Sequence, residues 1–168
     1  MIKLGVTRDP AFDSLTLDPE NPGPWAYRLS AFSTLLDVGT DLDAFAGRGG
    51  KLLLAHGVSD VLVSARATEQ YYQRLQAQMG PARVDTFVRY YEVPGYGHAV
   101  STVFNATWDS LTALENWVEK GVAPKAQVTT DTVGILGRKR PLCEYPTWPR
   151  YRGAGDANDA ESYVCVFP

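Results

Sequence analysis

An α/β fold is predicted for this 168-residue chain by three observations. Two apolar, strand-prone runs, Leu52-Leu53-Leu54-Ala55 and Thr86 to Val93, each lead into a sharp glycine-containing loop. A stretch with helical periodicity lies between them, and another follows the second run. The resulting order of strand, loop, helix, strand, loop, helix is that of two parallel strands joined by a right-handed crossover. Two strands alone leave edges and helix faces uncovered, so the unit reads as the end of a larger sheet. The expectation is a few-stranded, mainly parallel sheet with flanking helices and an irregular C-terminal arm.

Residues 1 to 24 are dense in turn formers: Asp9-Pro10, Asp18-Pro19 and Asn21-Pro22-Gly23-Pro24. Each proline biases its predecessor out of the helical region, which predicts an extended connector. From Trp25 to about Leu36, the spacing of Ala26, Leu29, Phe32 and Leu36 fits one helical face, with Gly39 as its stop. A short helix follows from Asp41 to Ala46. Leu52 to Ala55 is a continuous apolar run that suits a strand buried on both faces, although four residues alone also fit a buried helix. From Ala65 to Met79, residues Thr68, Tyr71 or Tyr72, Leu75 and Met79 share a stripe, and Gly80-Pro81 ends the helix. Thr86 to Val93 is rich in aromatic and β-branched residues and ends at Pro94-Gly95. A further helix is predicted from about Asn105 to Lys120, with Trp108, Leu111, Leu114 or Glu115, and Val118 on its apolar face and Gly121 as its cap. Trp108, Leu111 and Trp117 read as helix packing. Beyond Gly121 the only strand signal is Gln127 to Val133, yet Leu142, Tyr145, Trp148, Tyr151, Tyr163, Val164 and Phe167 give the arm material to pack. Three segments result: 1 to 46, 47 to 121 and 122 to 168.

Sixteen basic residues against nineteen acidic ones, without a basic block, leave no footprint for a phosphate backbone and argue against a nucleic-acid partner. No apolar run approaches the roughly 18 residues of a membrane span, so no membrane partner is expected. The start leads from Met1-Ile2-Lys3-Leu4 into Arg8-Asp9-Pro10 rather than into the apolar core of a signal peptide. The only cysteines are Cys143 and Cys165. Neither has metal-site spacing to a second ligand. They form either two free thiols or a disulfide closing a loop of about 22 residues, worth about 3 kcal/mol by chain entropy.

The chemistry is concentrated in two loops, His56-Gly57-Val58-Ser59-Asp60 and Pro94-Gly95-Tyr96-Gly97-His98. An α/β-hydrolase places its acid at the end of one strand and its histidine after a later one, with the nucleophile upstream on a tight elbow. Asp60 and His98 have that order and setting. The carboxylate must hold the imidazole with its other nitrogen facing the nucleophile, and must stabilise the imidazolium that forms. The plain alternatives are a turn residue capping local amides for Asp60 and a satisfied polar residue for His98. His56 reads as the maker of a loop hydrogen bond, with proximity to substrate as the alternative. Asp156, Asn158 and Asp159 bring oxygen ligands close together but lack the glycine and closing glutamate of a calcium loop, so no metal site is expected.

At these loops the chain resembles the C-terminal part of the tannase and feruloyl esterase family, which also includes hydrolases of terephthalate monoesters. The likeness is carried by Leu52 to Ser64, Thr68-Glu69-Gln70-Tyr71-Tyr72 and Tyr91 to His98. It extends upstream through Arg8 to Phe12 and Phe45 to Lys51, and downstream through Gly137 to Cys143 and Tyr151 to Ala160, ending near Cys165. The resemblance implies a C-terminal fragment of an α/β-hydrolase fold, with Asp60 matching the acid and His98 the base of a Ser, Asp, His triad. Residues 1 to about 45 match the return from the family's lid into the core. The family's serine lies in a Gly-Cys-Ser-x-Gly elbow, and no Gly-x-Ser-x-Gly occurs in this chain. Ser59, Ser64 and Ser101 do not replace it, since none sits on a strand-to-helix elbow. Most of the lid and its calcium site lie outside the match, so no cofactor is expected in this chain. Members typically carry a cysteine directly after the histidine, bridged to the cysteine before the serine. Ala99 stands there instead, so that bridge cannot form.

The resemblance thus implies part of a serine carboxylic-ester hydrolase acting on aromatic acid esters, inactive without its nucleophile and exported in its complete form. Two alternatives are a non-catalytic remnant or interaction module, pairing with an upstream half or with itself, and another α/β-hydrolase of dienelactone-hydrolase type. The latter leaves Arg140-Pro141-Leu142-Cys143 unexplained.

Overall fold

Strands β1 (Leu52–Gly57) and β2 (Val88–Val93) pair in parallel, with Leu52 opposite Val88 and Gly57 opposite Val93. Equal lengths in this register bring both strands to the same edge of the sheet, so the loops that follow start side by side. The computed structural model describes residues 1–99 and 103–168.

Helix α3 (Ala65–Met79) makes the crossover between the strands. Its buried stripe contains Tyr72 and Leu75, flanked by half-buried Thr68, Tyr71 and Met79, as the periodicity predicts. Gly80, at φ +83°, ends it, and Pro81 opens helix α4 (Pro81–Asp85), which the sequence reading did not include. Gly80-Pro81 is therefore both a stop and a restart, because proline suits the first position of a new helix.

Alternation along β2 builds two cores. On one face, Val88 and Tyr90 join Tyr72, Leu75, Val84 and Phe87, covered by Leu42 and Phe45 of the segment around helix α2 (Asp43–Gly47). On the other, Tyr91 and Val93 join Phe104 and Leu142, with Leu53, Tyr96 and Trp108 against them. Strand β1 has β2 as its only partner among the described residues, and Ala55 is exposed.

The helix expected from Asn105 begins later. Ala106–Thr107 forms strand β3, which pairs antiparallel with β4 (Val128–Asp131), and α5 spans Ser110–Lys120. Asp109 caps α5 by accepting the Thr112 amide at 3.1 Å. The buried face of α5 is Ala113 and Trp117, whereas Leu111 and Val118 are 66% and 56% exposed. The expected stripe is thus corrected: Trp117 sets the phase by seating its ring between the Lys51 ammonium at 5.3 Å and the Arg89 guanidinium at 5.0 Å.

The arm is more regular than expected. Strand β5 (Lys139–Pro141) extends the β3–β4 sheet, and β6 (Trp148–Tyr151) pairs with β7 (Tyr163–Val166). The Cys143–Cys165 disulfide, with Cα atoms 5.5 Å apart, ties this hairpin to the chain leaving the sheet. The arm also docks on β2, through a bridge between Tyr91 and Glu144 and the Tyr145 amide donating to the Tyr90 carbonyl at 2.8 Å.

Residues 1–39 form a unit of their own. Short helical turns at Ile2–Val6, Ser14–Thr16 and Gly23–Trp25 lead into α1 (Ala26–Leu36). Arg28 Nη1 donates to the Val6 carbonyl at 2.8 Å, and Phe12 meets Trp25 edge-on at 6.0 Å. Of the expected α1 face, Leu29 and Phe32 are half-buried while Ala26 and Leu36 are exposed. The helix ends at Leu36, before Gly39, because Asp37 is already extended.

Candidate functional site

Asp60 and His98 emerge from the adjacent ends of β1 and β2, and Asp60 Oδ2 lies 2.8 Å from His98 Nδ1. The loops approach backbone to backbone. A Cβ on Gly57 would stand 2.4 Å from the Tyr96 carbonyl oxygen and 2.5 Å from that of Gly97, so only glycine fits. The Val58 amide donates to the Val93 carbonyl and the Ser59 amide to the Tyr96 carbonyl, each at 3.0 Å. Tyr96 closes its own loop by donating its hydroxyl to the Ala99 carbonyl.

The Asp60 side chain is 4% exposed. Its Oδ1 accepts the amides of Leu62 at 2.8 Å and Val63 at 2.9 Å, so it caps its own turn while Oδ2 holds the imidazole. The carboxylate thus caps local amides and also contacts the imidazole. Burial pushes the carboxyl up, but the Val63 amide, the His98 ring and the Leu62 amide together hold it well below the usual carboxylate range. Asp60 is therefore anionic at neutral pH, next to a half-exposed imidazole whose Nδ1 is committed to it.

His56 does more than the expected loop hydrogen bond. Its Nε2 lies 3.2 Å from the Val63 carbonyl and 3.3 Å from Asp60 Oδ2, while its Nδ1 lies 2.7 Å from Thr68 Oγ1. The four-residue spacing from His56 to Asp60 was the only signal for this contact. Ser59 stands exposed in the acid loop and Ser64 at the start of α3; Ser101 lies outside the described residues.

A groove of about 1290 Å³ opens beside Asp60, between the acid loop with the start of α3 and the arm residues Tyr145, Trp148, Tyr151 and Phe167. Its acidic groups are already engaged. Glu69 accepts from Arg66 at 2.5 Å and from the Tyr145 hydroxyl at 2.8 Å, and Glu92 accepts from the Tyr90 hydroxyl at 3.1 Å. The Tyr90 and Tyr145 rings lie 5.1 Å apart, so the two phenols that serve these carboxylates pack on one another.

Behind the histidine loop, buried Asp131 organises the chain. Its Oδ1 accepts the amides of Asn105, Val133 and Gly134 at 3.1, 3.0 and 2.9 Å. Its Oδ2 accepts the Ile135 amide at 2.8 Å and Arg138 Nη2 at 2.6 Å. Burial raises this carboxyl as well, but the amides hold it far below the usual range. No sequence pattern announced Asp131, because its donors come from two separate segments.

Among the described residues, no three His, Cys, Asp or Glu side chains are grouped as a metal ion requires. Asp156 and Asp159 instead accept the amides of Asn158 at 2.8 Å and Glu161 at 3.1 Å. No helix among the described residues is long and apolar enough to cross a membrane.

A family model described as "Tannase and feruloyl esterase" matches residues 2–166. The chain is 39% identical over 164 residues to an uncharacterised esterase of Agrobacterium fabrum, covering 96% of this chain and 30% of that protein. It is 43% identical over 133 residues to mono(2-hydroxyethyl) terephthalate hydrolase of Piscinibacter sakaiensis, covering 77% of this chain and 22% of that one. The crystal structure of feruloyl esterase B from Aspergillus oryzae superposes with a TM-score of 0.81 at 26% identity, over 98% of this chain and 36% of that one. The chain thus spans about a third or less of the length of these relatives.

Proposed function

The chain belongs to the tannase and feruloyl esterase family, and from that premise we propose that it is the acid- and histidine-bearing part of a serine carboxylic-ester hydrolase acting on aromatic acid esters. The observation that carries this reading is the 2.8 Å contact between Asp60 and His98 at the common edge of two parallel strands. The nucleophile is supplied by a serine outside these 168 residues, which contain no Gly-x-Ser-x-Gly elbow.

In the assembled site, His98 Nε2 takes the proton from the serine hydroxyl as its oxygen attacks the ester carbonyl. Asp60 keeps Nδ1 protonated and stabilises the imidazolium. Collapse of the tetrahedral intermediate releases the alcohol, which receives the proton from His98. Water then repeats the steps on the acyl-enzyme, with His98 as base and then acid. The oxyanion donors accompany the serine. We assign no cofactor to this chain, because the family resemblance implies a calcium site in the lid, outside the matched segment. The disulfide favours an oxidising, exported setting.

The isolated chain is accordingly inactive. A purified sample should release no product from an activated aryl ester above the level of its His98→Ala variant. Addition of a serine-bearing partner should produce turnover that His98→Ala abolishes. Turnover by the chain alone that depends on His98 would overturn the assignment of the nucleophile to another segment.

A second reading, an interaction module, is favoured by the outer edge of β1 and by Val61 and Leu62, which are 92% and 74% exposed beside it. It predicts self-association of the isolated chain on size exclusion. A well-behaved monomer counts against it.

A further inference from the structure

We infer that His56 is a positioning residue for the acid and base, acting through Asp60. This rests on the reading of Asp60 and His98 given above. Asp60 Oδ2 faces two imidazoles at once, His98 Nδ1 at 2.8 Å and His56 Nε2 at 3.3 Å. The protonation pattern of His56 follows from its neighbours. Nε2 faces the Val63 carbonyl and a carboxylate, both of which only accept, so Nε2 carries a proton. In the neutral ring Nδ1 is then an acceptor, and the Thr68 hydroxyl at 2.7 Å donates to it.

His56 therefore links three pieces of backbone: the end of β1, the turn at Val63 and the first turn of α3. Its side chain is 12% exposed, so water does not readily replace it. The Leu62 and Val63 amides fix Oδ1 by hydrogen bonds, and His56, whose Nε2 is hydrogen-bonded to the Val63 carbonyl, stands against Oδ2 at 3.3 Å and limits its swing by contact. With both oxygens restrained, the carboxylate plane is set before His98 arrives, and His98 is held in the tautomer with its proton on Nδ1. Without His56, Oδ2 retains His98 as its one side-chain partner among the described residues, and the carboxylate can rotate about its Oδ1 bonds.

Histidine-ring NMR of the intact 168-residue chain tests this. In the wild type, His98 should show a low-field Nδ1 proton and a ring held as the Nδ1–H tautomer, while His56 shows the Nε2–H tautomer. His56→Leu should abolish the low-field His98 proton and return that ring to a tautomer mixture. His56→Gln, whose side-chain amide places an N–H near the original Nε2, should restore it. Thr68→Val removes the donor to Nδ1 and with it the anchor of the ring to α3, while the Val63 carbonyl and Asp60 keep the proton on Nε2, so His56 should remain the Nε2–H tautomer and the low-field His98 proton should weaken. That variant serves if His56→Leu does not fold. A His98 signal unchanged in His56→Leu, or unchanged in Thr68→Val where His56→Leu does not fold, overturns the inference. Asp60→Asn separates this outcome from failure of the underlying reading: if His98 is indifferent to that change too, the acid and base are not paired and the proposed function falls first.

Discussion

Replacing Gly57 with alanine should break the contact on which the site is built. Gly57 is not in the left-handed region, so alanine is compatible with its backbone and any cost comes from the added methyl. That methyl would stand 2.4 Å from one carbonyl oxygen and 2.5 Å from the next, against an ordinary contact beginning near 3.4 Å. The loops must separate by about 1 Å, and both obstacles are backbone rather than a side chain that can rotate away. The Ser59 to Tyr96 bond, now 3.0 Å, is then too long to persist. Overpacking of about 1–3 kcal/mol and the loss of one hydrogen bond at about 1 kcal/mol give about 2–4 kcal/mol in total. Urea unfolding followed by tryptophan fluorescence measures this, and the His98 Nδ1 proton reports whether the loops have parted. Gly47→Ala is the control: nothing lies within 4 Å of its Cβ position and it closes α2, so it should be neutral or stabilising by about 0.5–1 kcal/mol. A Gly57→Ala chain as stable as the wild type, with the His98 signal intact, would refute the reasoning.

Other outcomes follow from features of the core and arm. Asp131→Asn should lower the urea midpoint at neutral pH. Because the folded-state pKa of Asp131 is depressed, its stabilisation is full above the unfolded carboxylate value of about 3.9 and is lost as acid titrates it in the folded state, so the two chains should converge in stability below about pH 4. Reduction of Cys143–Cys165, 22 residues apart, should cost about 3 kcal/mol, read as the shift in denaturation between oxidised and reduced samples. Leu75→Ala, at a fully buried position, should cost about 2–5 kcal/mol. Leu111→Ala should change stability by about 0.5 kcal/mol or less, since that residue is on the exposed side of α5.

What could be read from the sequence depended on whether the determinant was local. Helix α3 was legible because its stripe, Thr68 to Met79, and its glycine stop lie within one stretch. Strand β2 was legible from its aromatic and β-branched run. The start of α5 was placed too early because Ala106–Thr107 is taken by pairing with Asp131 and Thr130, residues more than twenty positions away. A local sign was nonetheless present, in the Asp109 cap. The strands of the arm were largely illegible for the same reason: β6 exists by virtue of β7, across a loop with no strong pattern. At the site, the order of Asp60 and His98 was readable, whereas the second imidazole on Oδ2 and the Asp131 hub depend on side chains meeting in space.

The placement of the disulfide has a consequence for the groove. Cys143 is buried beside β2, and Cys165 sits in the strand that carries Val166 and leads to Phe167, both on the rim. Cys143 is followed by Glu144 and Tyr145, which dock on β2, so the strand leading to the rim is covalently tied to the docked segment. While the tether is intact, the two halves of the groove's far bank hold together as one piece.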